Sequence, residues 1–216
     1  LVLVLLSISL GLSACSYPED PEIPSFTMNG DLLKEGAPQI ETIATPNGYE
    51  LSYFRYGDPQ GRRVIFLHGT PGTGSIWSTA LPSMPKGFEV IAVDRPGWGN
   101  TKPHKVLPSL IEQAKALSPL LETPDGRPPI IVGWSYGGPV AARLAVDFPE
   151  QVGGLLMVAS SMDPGLEHTY FIQYLGRALA WVIPNSWDHA NKELMPLKAQ
   201  LEDLHPQLSS ISQDIE

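Results

Sequence analysis

Gly133-Trp134-Ser135-Tyr136-Gly137-Gly138 is the stretch on which the reading of this chain turns. It follows the apolar run Pro129-Ile130-Ile131-Val132 and precedes Pro139-Val140-Ala141-Ala142-Arg143-Leu144-Ala145, which has helical spacing. A strand, a sharp turn and a helix are therefore expected, with Ser135 at the apex. Gly133 and Gly137, two positions to either side of the serine, permit a bend that larger residues would obstruct. Such a bend lifts the Ser135 hydroxyl off the sheet and aims the N-terminus of the next helix at it. The pattern G-x-S-x-G also arises as an incidental glycine-rich connection, so its surroundings must decide what it is.

Upstream, Gln39-Ile40-Glu41-Thr42-Ile43-Ala44-Thr45 and Tyr49-Glu50-Leu51-Ser52-Tyr53-Phe54-Arg55-Tyr56 both alternate, with Pro46-Asn47-Gly48 between them. That is a β-hairpin with an Asn-Gly turn. Four continuous apolar runs, at 63–67, 88–93, 130–132 and 154–159, read as strands buried on both faces. Helical patterns at 75–81, 108–121 and 139–148 separate them. The alternation predicts an α/β fold: a doubly wound, mostly parallel sheet with an N-terminal antiparallel hairpin. Sites in such sheets lie beyond the carboxyl ends of the strands. All the chemically suggestive groups fall there: His68-Gly69-Thr70-Pro71-Gly72, Asp94-Arg95-Pro96-Gly97-Trp98-Gly99, the Ser135 turn, and Ser160-Ser161-Met162-Asp163-Pro164.

Composition narrows the function. The chain has 216 residues, of which 43% are hydrophobic and 17% charged, enough for one domain with a core. A net charge of −9 leaves no basic stripe for phosphates, so nucleic acid is excluded as a partner. The 22 prolines and 20 glycines mark turns, because apolar runs persist between them. The five histidines show no metal-ligand spacing, and the single cysteine excludes an internal disulfide and a cysteine-based zinc site.

That cysteine ends an apolar segment. Residues 1–15 close on Leu12-Ser13-Ala14-Cys15, which resembles the lipobox of bacterial lipoproteins. The resemblance implies a lipid on Cys15 and an exported protein anchored to a membrane of the bacterial envelope. An ordinary cleaved signal and an uncleaved anchor are the alternatives. Residues 16–38, with Tyr17-Pro18-Glu19-Asp20-Pro21-Glu22-Ile23-Pro24, read as an acidic, proline-rich tether. The chain opens on Leu1 without a basic segment, so its true start is expected upstream.

Over residues 40–163 the chain resembles the α/β-hydrolase family. His68-Gly69-Thr70-Pro71-Gly72 matches that family's H-G-x-P-G loop, 94–99 its D-x-P-G-x-G turn, and 133–138 its nucleophile elbow, in the same order and spacing. The resemblance implies that Ser135 is the nucleophile and that the backbone amides of Thr70 and Tyr136 form the oxyanion hole. The Thr70 side chain is then free to tune substrate access. His68 would brace the loop, supported by Gly69, and Asp94 would pin its own turn. Trp98 and Trp134 either line the pocket or pack in the core. No cofactor is implied.

After Asp163 the pattern breaks. Residues 164–216 read as part of a helical cap, with a first amphipathic segment at 170–183 and helical spacing again over 189–204. No further β-rich run ending in Asp or in a Gly-His loop follows, so the last strands of the fold and the catalytic base are missing. His168, His189 and His205 read as solvated surface residues, and Asp163 stands where some family members carry the acid, or else caps its loop. The expectation is a fragment cut at both ends, inactive as it stands and exposing an unpaired sheet edge. The leading reading is a membrane-tethered serine hydrolase acting on an ester, or an amide, of a small apolar acyl group. A non-catalytic binding protein on the same fold, a carbon–carbon bond hydrolase and a perhydrolase are the alternatives. Haloalkane dehalogenases and epoxide hydrolases use aspartate at the elbow, so Ser135 argues against them.

Overall fold

The computed structural model describes residues 39–78, 80–167 and 185–213. The lipobox with Cys15, the tether, His168 and the first cap segment lie outside these residues. Among the described residues, no helix is long and apolar enough to cross a membrane.

Among the described residues, six strands form one sheet: β1 (Gln39–Ala44), β2 (Glu50–Gly57), β3 (Arg62–Leu67), β4 (Phe88–Val93), β5 (Ile130–Trp134) and β6 (Gly154–Val158), in the spatial order β1-β2-β4-β3-β5-β6. The pairs β1/β2 and β2/β4 are antiparallel, and the rest are parallel. The expected hairpin is present. Thr45 and Tyr49 close a three-residue loop, the Gly48 amide donates to Thr45 O at 3.1 Å, and Gly48 takes φ +82°. Glycine reaches that conformation without strain.

Side chains alternate across the central strands and feed two cores. Ile65, Leu67, Ile91, Val93 and Ile131 face one side, while Val64, Phe66, Val90, Ala92 and Val132 face the other. Burial on both faces explains why these strands read as unbroken apolar runs. The first face is covered by α1 (Leu110–Leu117) and α2 (Gly137–Asp147). α1 starts at Ser109, whose Oγ accepts from the Glu112 amide at 3.3 Å, with the Glu112 acid complementing the helix dipole. It ends in a 3₁₀ turn, Ser118–Leu121, that carries Pro119. The helix expected over 75–81 is instead two 3₁₀ turns, Gly74–Trp77 and Leu81–Ser83. Gly74 is pressed against the carbonyl of Ala92, which leaves that segment short and close to β4.

The helical spacing over 189–204 resolves into two helices, α3 (Asn185–Leu194) and α4 (Leu197–Gln213), broken before Pro196. α4 differs from a cap. Leu197, Leu201 and Leu204 are fully buried in the principal core beside α1 and α2. A stripe at that spacing gains more free energy against an existing core than over an open site. α3 instead sends Glu193 toward the loops that follow β3 and β4.

Candidate active site

In register, Leu67 of β3 pairs with Val93 of β4 and with Gly133 of β5. His68, Asp94 and Ser135 therefore leave the sheet side by side at one end. This places the motifs together without further assumption.

Ser135 sits at φ +51°, a left-handed conformation costly for a residue with a Cβ. Three hydrogen bonds hold it there. Its amide donates to Val158 O at 3.0 Å, and its carbonyl accepts from Gly138 N at 3.0 Å and from Ser161 N at 3.2 Å. The turn is tight because its flanks are bare: a Cβ on Gly133 would lie 2.5 Å from Gly137 O, and one on Gly137 would lie 2.4 Å from Leu67 O. The serine is only half-buried, and α2 begins two residues later, its N-terminus facing the bend.

The 68–72 loop lies against the nucleophile. A Cβ on Gly69 would stand 2.9 Å from Ser135 Cβ, 3.4 Å from Ser135 Oγ and 3.3 Å from the Trp134 ring. Neither the Thr70 amide nor the Tyr136 amide donates to any group among the described residues. Two unspent donors beside a raised hydroxyl suit an oxygen that gains negative charge.

His68 is fully buried. Its Nδ1–H donates to Gly69 O at 2.7 Å, and its Nε2 accepts from the Arg95 amide at 3.0 Å. Both ring nitrogens are thereby used. Burial, and secondarily the Arg95 charge, hold its pKa well below the usual histidine range, with the Gly69 bond opposing weakly. Asp94 accepts from the Gly74 amide at 2.7 Å and from the Asn100 amide at 2.9 Å, and Thr101 Oγ1 donates to Asp94 O at 2.6 Å. Its pKa is raised, because burial outweighs the two amide bonds. Both residues are consumed in holding loops.

Sequence reasoning missed Glu193. This carboxylate of α3 is fully buried. It accepts from Arg95 Nη1 at 2.9 Å and Nη2 at 3.2 Å, from Trp98 Nε1 at 3.1 Å, from Gln113 Nε2 at 3.3 Å and from the Thr70 hydroxyl. Arg95, equally buried, also donates through Nε to His68 O at 2.9 Å, and through Nη2 to Gly69 O at 3.1 Å and Thr70 Oγ1 at 2.5 Å. Its guanidinium lies 4.8 Å from the centre of the Tyr136 ring. The Thr70 side chain is thus committed, not free to tune access. Trp98 is packed and hydrogen-bonded, edge-on to His68 and His189. The available signal was a carboxylate lying among the apolar positions Ala190, Leu194 and Leu197.

The remaining candidates stand apart. Asp163 is exposed and its Oδ1 accepts from the Gly165 amide at 2.8 Å, a loop-capping arrangement. His205 Nε2 donates to Met162 O at 2.6 Å. Among the described residues, no side chain hydrogen-bonds to Ser135 Oγ.

The family model described as the alpha/beta hydrolase family matches residues 64–210. A pimeloyl-[acyl-carrier protein] methyl ester esterase from Aeromonas hydrophila is 35% identical over 115 residues, covering 51% of this chain and 42% of that protein. A proline iminopeptidase from Arabidopsis thaliana is 28% identical over 153 residues, covering 68% of this chain and 38% of the other. The thioesterase domain from the curacin biosynthetic pathway superposes with a TM-score of 0.54 at 23% identity, over 68% of this chain and 54% of that one, a likeness of fold. The chain thus spans well under half the length of these curated relatives.

Proposed function

The chain belongs to the alpha/beta hydrolase family, and from that premise we propose that the protein is a serine hydrolase cleaving an ester of a small apolar acyl group. The observation that carries this reading is Ser135, held at φ +51° next to the amides of Thr70 and Tyr136, which donate to no group among the described residues. In the proposed mechanism Ser135 Oγ attacks the ester carbonyl carbon. The carbonyl oxygen takes up the electron pair and accepts from the two amides, each worth roughly 3 kcal/mol to the transition state. Collapse of the tetrahedral species expels the alcohol and leaves an acyl-enzyme, which water then hydrolyses.

Serine needs a base to take its proton, and the base needs an orienting acid. His68 has both nitrogens occupied and Asp163 caps its own loop. The proposal therefore assigns base and acid to residues outside those described. It also keeps the lipid on Cys15 as the tether to the envelope. Incorporation of labelled palmitate that Cys15→Ser abolishes would support the tether, and incorporation surviving that change would refute it.

The central test is fluorophosphonate labelling of the complete gene product. Modification at Ser135, lost in Ser135→Ala together with ester turnover, is expected; a folded, complete protein that resists labelling would instead be a binding protein. The iminopeptidase relative favours amide cleavage as a second reading, and proline p-nitroanilide against p-nitrophenyl butyrate separates the two.

A further inference from the structure

We infer that Arg95 and Glu193 are positioning residues for the oxyanion hole, acting through Thr70 and Tyr136. The inference rests on the serine hydrolase reading and deepens it.

One peptide plane sets the direction of the first donor. The Gly69–Thr70 peptide is trans, so its carbonyl and its N–H point in opposite directions. The Gly69 carbonyl is held by two donors, His68 Nδ1 at 2.7 Å and Arg95 Nη2 at 3.1 Å. Fixing that carbonyl fixes the direction of the Thr70 N–H. Arg95 Nε holds the preceding carbonyl, His68 O, at 2.9 Å. The Thr70 side chain is the third anchor. Its hydroxyl accepts from Arg95 Nη2, and its single proton goes to Glu193. That proton is therefore unavailable to the substrate, and the oxyanion hole has only backbone donors at this position.

The second donor is gripped by the same cluster. Tyr136 is buried with its ring beneath Arg95, and its hydroxyl accepts from Gln113 Nε2 at 3.3 Å. Gln113 in turn accepts from Arg95 Nη1 at 2.8 Å. Both amides expected to face the oxyanion thus belong to residues whose side chains meet one guanidinium. Glu193 supplies the charge that lets this guanidinium stay buried. Because Glu193 comes from α3, docking of that helix completes the donor geometry.

The test uses the complete gene product with a p-nitrophenyl ester and a boronic acid that mimics the tetrahedral species. Glu193→Gln is expected to lower kcat about 100-fold, the scale of a 1 Å misplacement, with KM within about threefold. Boronate affinity should fall in parallel with kcat. The double variant Arg95→Met/Glu193→Leu removes the buried charges together and so keeps the fold, judged by urea unfolding. It should retain the kcat loss. Recovery of kcat in the folded double variant, or unchanged kcat and boronate affinity in Glu193→Gln, overturns the inference. Thr70→Val should resemble Glu193→Gln, with Thr70→Ser falling far less. The NMR shift of the Thr70 amide reads the loop without turnover. If it is unmoved in Glu193→Gln, the inference fails. If it moves while the wild type shows no Ser135-dependent turnover, only the functional reading fails.

Discussion

Glu89 and Glu193 are both buried carboxylates clasped by arginine, and they lie at opposite ends of the sheet. Glu89, near the start of β4, is approached by Arg63 Nε at 2.7 Å and by Arg55 Nη2 at 2.5 Å. These three residues belong to neighbouring strands, and Arg63 is in register with Glu89. Backbone ladders already fix that geometry, so the ion pairs add strength to something in place. Glu193 and Arg95 are 98 residues apart in the chain, and no ladder joins α3 to the loops it touches. There backbone bonds such as Asp94 N to Ser52 O at 2.8 Å anchor the loop to β2, and side chains set where α3 meets it. The same chemistry reinforces in one place and defines position in the other.

That contrast can be broken by measurement. The largest effect is expected from Arg95→Ala, which strands Glu193 as an unpaired buried charge. A loss of about 3–5 kcal/mol should appear in urea unfolding. Glu89→Gln should cost less, about 1–3 kcal/mol, because its partners are partly solvated and the ladder remains. The kcat of the complete protein should stay within about threefold. A kcat loss like that of Glu193→Gln would erase the distinction between the two ends.

A smaller effect is expected from acid. His68 is held neutral in the folded chain with a lowered pKa, so below its ordinary value of 6.5 the unfolded chain binds the extra proton. Its stabilising contribution is complete above about pH 6.5 and is lost as pH falls, by at most about 1.4 kcal/mol per unit. Asp94, with a raised pKa, works in the opposite direction as it takes up its proton in the folded state. Urea midpoints at pH 7.5 and 5.5 measure the net slope, and His68→Gln should flatten it. The smallest effect is assigned to Asp163→Asn, with turnover within threefold. A loss of about 10³-fold or more would instead make Asp163 the acid of a triad.

Much of this was legible beforehand. Apolar runs over Val64-Ile65-Phe66-Leu67 and Val90-Ile91-Ala92-Val93 are long, unmixed and bounded by turn residues, so they announce buried strands. The Ser135 bend was legible because glycines mark where no Cβ fits. The 74–83 segment was not, since apolar spacing does not distinguish an α-helix from 3₁₀ turns pressed on a strand. Arg95 lay inside a quoted motif, but its role depends on a partner 98 residues away, and local patterns carry no such information. The committed hydroxyl of Thr70 escaped for the same reason.

The bonds that pin the Ser135 turn also tie it to an outer strand. The Ser135 amide and carbonyl are tied to Val158 O and Ser161 N, at the end of β6, which among the described residues is paired only with β5. Outermost strands fray at a lower free energy than central ones. When β6 loosens, the nucleophile relaxes out of its strained conformation while β3, β4 and β5 still stand. In the 216-residue chain, amide exchange should therefore reach the Ser135 turn before the central strands.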